Sequence, residues 1–145
     1  MNFSNKDGGK IIFELIKTIQ DKKDFLSEVD GKIGDGDHGI NMNKGFTMTY
    51  CKVNGKDYDM TTAFSVLGDT LLEDIGGSMG PLYGAFFDGL SEASEDHDVI
   101  DKKTFQKMIH TALEAIQDIG NAKRGDKTLL DTLIPAVEAY DAALE

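Results

Sequence analysis

Residues 30–42 read Asp30-Gly31-Lys32-Ile33-Gly34-Asp35-Gly36-Asp37-His38-Gly39-Ile40-Asn41-Met42, and this stretch organises the rest of the chain. Three carboxylates, Asp30, Asp35 and Asp37, fall within eight positions, glycines stand between them, and a histidine follows the last. Asp and Gly both favour turns, so the spacing predicts a tight loop rather than a helix or a strand. Crowded negative charges destabilise such a loop unless a cation sits among them, and a hard divalent ion with oxygen ligands suits it. An EF-hand register fails. Counted from Asp35, position 5 is Gly39 and position 12 is Phe46, where that motif needs an oxygen ligand and a Glu.

Outward from this loop, apolar residues recur at helical spacing almost throughout. Ile12, Leu15, Ile16 and Ile19 predict a first helix over about 9–28. Met42, Phe46 and Tyr50 mark a second, over about 39–53, ended by Asn54-Gly55. A third is expected over 60–74, capped by Asp59 and carrying Phe64, Leu67 and Leu71. A fourth spans about 78–93, with Pro81 tolerated in its first turn. Asp101 caps a fifth, whose face is Phe105, Met108, Ile109, Leu113 and Ile116, and Gly120 closes it. A sixth covers about 127–144, with a kink or a local break expected at Pro135. No segment alternates convincingly, so the fold class is all-α: an antiparallel bundle or barrel of amphipathic helices in one domain, residues 1–145. The last helix runs to Glu145 without a closing cap, which reads as a C-terminally incomplete domain.

Three glycine-marked loops punctuate these helices: the acidic loop, Gly76–Gly84, and Gly120–Thr128. Each precedes a predicted helix start. In an up-down arrangement alternate connections lie at the same end, so all three should gather on one rim. Helix N-termini offer unpaired N–H groups and partial positive charge, which suits phosphate. The carboxylates would repel phosphate directly but can hold Mg2+, which prefers a few carboxylates plus substrate phosphates. His38 could then donate to a phosphate oxygen. A Walker reading of the third loop fails, because Asp126 stands between Gly125 and Lys127 and no strand precedes it.

The formal charge of −11 argues against nucleic acid or anionic membrane as a partner. Cys51 is the single cysteine, so neither an intramolecular disulfide nor a cysteine-based zinc site can form; it reads as a helix packing residue. Met1–Asp7 has no apolar signal core and no run of 18 apolar residues occurs, which points to a cytoplasmic protein.

With these motifs in view, the sequence resembles the nucleotide-binding L subunit of dihydroxyacetone kinases, the DhaL or Dak phosphatase-type domain. The resemblance is carried by Ile33-Gly-Asp-Gly-Asp-His-Gly-Ile-Asn-Met42, Gly76-Gly-Ser-Met-Gly-Pro-Leu-Tyr-Gly84, and Gly125-Asp-Lys-Thr128 followed by Leu129-Leu130-Asp131. It implies a barrel of antiparallel helices holding ADP or ATP at one end, with six of the family's eight helices read here. By that match Asp30, Asp35 and Asp37 would coordinate two Mg2+ ions. His38, Gly39, Ile40 and Asn41 would contact phosphates, with His38 catalytic; Gly77, Ser78 and Met79 would form the second phosphate loop. Gly120 and Leu129 would border the base and ribose. Two departures stand out: the family usually has a small residue then Ser where this chain has Ser78 then Met79, and Leu129 replaces a common Met.

The implied reaction is phosphoryl transfer to dihydroxyacetone held on a partner K subunit, with a phosphotransferase-system phosphohistidine subunit restoring ATP from ADP. His38 favours this branch over fatty-acid-kinase relatives, which usually carry Thr there. The alternatives are a noncatalytic module that docks a transcriptional regulator or partner subunit, and a kinase acting on another small hydroxyl or fatty-acid substrate. An open barrel end would also favour a homo-oligomer.

Overall fold

Why each helix starts where it does is plainest at α4 and α6. The Asp59 carboxylate accepts the Thr62 N–H at 2.7 Å and the Asp101 carboxylate accepts the Thr104 N–H at 2.8 Å, so each satisfies an orphan donor of the first turn. A computed structural model describes residues 1–145. Its helices are α1 (Ile11–Asp21), α2 (Lys23–Asp30), α3 (His38–Val53), α4 (Met60–Asp74), α5 (Met79–Ser94), α6 (Lys102–Ile119) and α7 (Leu130–Leu144). A 3-10 turn, Lys6–Lys10, precedes them.

From α2 onward each helix packs chiefly on its neighbours in sequence, while α1 packs on α3; the tightest interfaces are α4–α5 and α5–α6. The core gathers Ile12 and Ile16 of α1, Met42 and Phe46 of α3, Leu67 and Leu71 of α4, Phe87 and Leu90 of α5, and Met108 and Ala112 of α6. Phe87 is its aromatic centre, with the rings of Phe46, Phe64 and Phe86 5.2–6.0 Å away. The all-α expectation holds.

Several local expectations do not. The first predicted helix is two: Lys22 leaves helical geometry, at φ −100° and ψ 6°, and separates α1 from α2. Neither Gly nor Pro marks the break; it lies in the charged run Asp21-Lys22-Lys23, where α2 turns to meet the start of α3. Seven helices therefore stand where six were read. Two short strands, β1 (Phe3–Ser4) and β2 (Val99–Ile100), pair antiparallel and are too short to show alternation. The buried stripe of α6 is Thr104, Met108, Ala112 and Ile116, while Phe105 turns outward against Tyr140 of α7. Cys51 is exposed, not packed, because Phe46, Thr49 and Val53 take the buried face of α3. The last helix starts at Leu130, three residues later than read, since Thr128 and Asp131 hold the preceding turn. It continues through Pro135, whose missing N–H interrupts the ladder locally, as the sequence predicts.

The two ends of the bundle differ. At one end Asn5, 6 % exposed, ties three elements together. Its amide donates to Thr61 Oγ1, the Ser94 carbonyl and the His97 carbonyl at 2.9–3.3 Å, and its side-chain oxygen accepts the Thr61 N–H. The starts of α4 and α6 lie at this end. The starts of α3 and α5 lie at the other, beside the acidic loop.

Candidate functional site

Asp30 closes α2, Asp37 stands at the start of α3, and Asp35 lies between them. The chain must reverse over this short distance, and Gly36 allows it with φ +77°. The reversal brings one carboxylate oxygen from each aspartate to within 4.8 Å of the others. Asp30 is half-buried, and Asp35 and Asp37 are exposed. Asp30 also accepts the His38 N–H at 3.2 Å, and Asp35 accepts the Asp37 N–H at 3.3 Å. These bonds fix the loop from within and leave carboxylate oxygens free.

The hydrogen-bonded Asp35 carboxyl beside Asp37 holds Asp37 above the usual carboxylate range; partial desolvation and the charges of Asp35 and Asp30 add to this, and Asn41 opposes it. Three converging carboxylates fit a hard divalent cation, which would relieve their mutual repulsion. The donor set, all oxygen and mixed in exposure, suits Mg2+ with part of its coordination left to water or phosphate.

Gly39 explains how α3 reaches the loop. A Cβ at this position would stand 1.9 Å from the Lys23 carbonyl oxygen, so only glycine lets α3 cross this closely over α2. The first turn of α3 has no side-chain cap from Asp37, and the amides of Gly39 and Ile40 carry no hydrogen bond. Asn41 N–H returns to the Asp37 carbonyl at 2.9 Å. The His38 ring is half-buried with its centroid 6.0 Å from that of Tyr83 on α5. Burial pushes the Tyr83 phenol pKa up, keeping it a neutral hydroxyl. This pair joins the first loop to the helix that follows the second.

In the second loop Gly77 and Ser78 are exposed and Met79 packs partly against the core. Ser78 makes no side-chain cap, and the amides of Met79 and Gly80 are unbonded. The third loop differs. Asp131 accepts the N–H groups of Gly125 at 2.7 Å and Thr128 at 3.2 Å, and Thr128 Oγ1 accepts that of Leu130. The Gly125 N–H, followed by the other backbone donors, holds Asp131 below the usual carboxylate range. Gly120 ends α6 in extended geometry and Leu129 is half-buried before α7. No hydrogen bond joins either of them to the first two loops, and α7 packs chiefly against α6. Of the residues singled out in the sequence, the structure thus brings together Asp30, Asp35, Asp37 and His38–Asn41, and links them to α5 through Tyr83. Sequence reasoning missed Tyr83 as a neighbour of His38; its place in the Gly76–Gly84 motif was the available signal.

Comparison with known proteins bears on the same segments. Residues 32–145 match the DAK2 domain family. The chain is 39% identical over 122 residues to the ADP-binding subunit DhaL of a PEP-dependent dihydroxyacetone kinase from Listeria innocua, covering 83% of this chain and 61% of that protein. It is 39% identical over 114 residues to the ADP-binding subunit DhaL of the PTS-dependent dihydroxyacetone kinase of Lactococcus lactis, covering 78% and 57%. The chain therefore spans about 60% of the length of these relatives. Among solved structures it resembles the dihydroxyacetone kinase from C. freundii in complex with AMP-PNP and Mg2+, with a TM-score of 0.74 and 23% identity over 100% of this chain and 27% of that one; this likeness establishes the fold. No helix is long and apolar enough to cross a membrane.

Proposed function

This chain belongs to the DAK2 domain family, and on that premise we propose that it is the ADP/ATP- and Mg2+-binding unit of a dihydroxyacetone kinase linked to phosphoenolpyruvate through the phosphotransferase system. The observation that carries this reading is the convergence of Asp30, Asp35 and Asp37 within 4.8 Å beside two helix starts where the amides of Gly39, Ile40, Met79 and Gly80 are unbonded. The names of the Listeria and Lactococcus relatives, both ADP-binding subunits, agree with it.

The division of labour follows from charge. Asp30, Asp35 and Asp37 hold the divalent cations, two in the full site. The amides of Gly39 and Ile40, with the partial positive charge of the α3 terminus, face the phosphates, as do those of Met79 and Gly80 on α5. His38 donates a hydrogen bond to a phosphate oxygen, and Tyr83 keeps its ring from swinging away. Gly77 and Ser78 let the phosphates approach the backbone, and Gly120 and Leu129 border the base and ribose. When bound, the metal–nucleotide pair supplies the phosphoryl group and the charge neutralisation that a loose transition state needs. The acceptor, dihydroxyacetone, sits on a partner K subunit. Val29, Ile33 and Ile40, exposed by 48, 100 and 56%, flank the acidic loop and give that partner an apolar rim to close against.

Calorimetry of ADP against the nucleotide-free chain tests the reading. Binding that requires Mg2+ is expected. A flat trace from a folded sample in the presence of Mg2+ contradicts it and favours the alternative, a docking module without chemistry.

A further inference from the structure

One buried side-chain oxygen or nitrogen in this chain has no hydrogen-bond partner, and it is Ser27 Oγ. Buried polar atoms are bonded in the large majority of cases, so the exception asks for a reason. The buried hydroxyls elsewhere obey the rule. Thr49 donates to the Gly45 carbonyl at 2.9 Å, Ser91 to the Thr61 carbonyl at 2.7 Å, and Ser94 to the Ser91 carbonyl at 2.8 Å. Ser27 does not take even the usual helical acceptor one turn back, the Lys23 carbonyl.

Its position is specific. Ser27 lies on α2 three residues before Asp30, so the two side chains share one helix face. It also presses on the start of α3: a Cβ on residue 39 would stand 2.6 Å from Ser27 Oγ and 2.8 Å from its backbone nitrogen. The orphan hydroxyl is therefore sealed at the α2–α3 crossing, beside a half-buried carboxylate whose one recorded bond is to the His38 N–H. Carboxylates that bind metals are generally held by a hydrogen bond from a neighbouring group that does not touch the metal.

We infer that Ser27 is a positioning residue: its hydroxyl donates to the Asp30 carboxylate when that carboxylate engages a divalent cation, and it waits unpaired otherwise. This rests on the reading of the acidic loop as a cation site. It explains why the one unsatisfied buried hydroxyl lies at this crossing rather than elsewhere in the core. The unmade bond destabilises the cation-free protein and is recovered on loading, so the site trades resting stability for grip.

The test separates packing from positioning. Mn2+ is titrated into wild-type chain with saturating ADP and followed by electron paramagnetic resonance, and thermal midpoints are measured without metal. For Ser27→Ala, and for Ser27→Cys, whose slightly larger thiol is a far weaker donor, the Mn2+ Kd is expected to rise about tenfold, with a metal-free midpoint for Ser27→Ala equal to or above wild type. Ser27→Thr, which keeps the hydroxyl, should restore the affinity. Wild-type Kd in both Ala and Cys variants overturns the inference. So does a loss of affinity matched by a fall in the metal-free midpoint, which makes Ser27 a packing residue. Absence of Mn2+ binding by the wild type overturns the cation-site reading itself, and this inference with it.

Discussion

The two ends of this helical bundle are built from the same residue types and solve opposite problems. At the closed end the buried polar groups are bonded internally. Asp59 and Asp101 cap α4 and α6, Asn5 bonds across three elements, and the Ser91 hydroxyl takes the Thr61 carbonyl. At the open end Asp30, Asp35 and Asp37 crowd one another while the amides of Gly39 and Ile40 on α3 and of Met79 and Gly80 on α5 stay free. Asp101, which caps α6, is lowered in pKa by the Thr104 N–H. An aspartate kept from capping, Asp37, is raised by its neighbour. The lesson is that a carboxylate standing alone at a helix start stabilises the fold, whereas three that converge keep oxygens free for a ligand even where two of them accept a backbone N–H.

The largest effect expected is at the open end. Asp37→Asn should weaken Mg2+-dependent ADP binding by about a hundredfold or more, by analogy with loss of a direct metal ligand exceeding the outer-partner effect, with no loss of thermal stability. Calorimetry and a thermal scan read the two together. A fall in stability with binding intact would mean that Asp37 belongs to the fold, and the contrast between the ends would break.

Asn5→Ala should do the reverse. It removes four hydrogen bonds around a buried amide, at a cost of about 2–4 kcal/mol in urea unfolding. ADP affinity of the folded fraction should stay at the wild-type value.

Asp59→Ala should cost about 1 kcal/mol of stability, the usual worth of such a cap. The equivalent change at Asp35, which caps no helix, should cost none in the absence of metal; the pair of denaturation curves checks this.

A smaller effect sharpens the picture between the ends. Asp88 on α5 sits against Gly68 of α4, where burial, and then the charge of Asp69, push its pKa up to about 6. A carboxyl raised in the folded state favours folding at low pH, and that contribution fades as pH climbs from about 4 to 6. Asp88→Asn should flatten the pH dependence over that window and raise stability at pH 8 by about 1 kcal/mol, allowing for the screening of a half-exposed group. Unfolding curves at pH 4.5 and 8 measure it.

Much of this was legible in the residues. Asp59 and Asp101 precede clear apolar stripes, and they cap as expected. The acidic loop declares itself by three Asp among glycines, and the structure brings those carboxylates together. Asn5 was not legible, because its partners at positions 61, 94 and 97 lie far along the chain and nothing in Met1–Asp7 marks it. Nor was the break at Lys22, which answers to the approach of Gly39 rather than to a local breaker. The third loop looked like the other two, yet Asp131 already occupies its amides, a hydrogen-bond fact that spacing alone does not carry.

The most direct test of the contrast is to follow backbone amide signals by nuclear magnetic resonance as ADP and Mg2+ are added together. The account predicts shifts at His38–Asn41 and Met79–Gly80, with Thr62 and Thr104 unmoved. Shifts confined to the closed end, or none at the start of α3 despite binding, would contradict it.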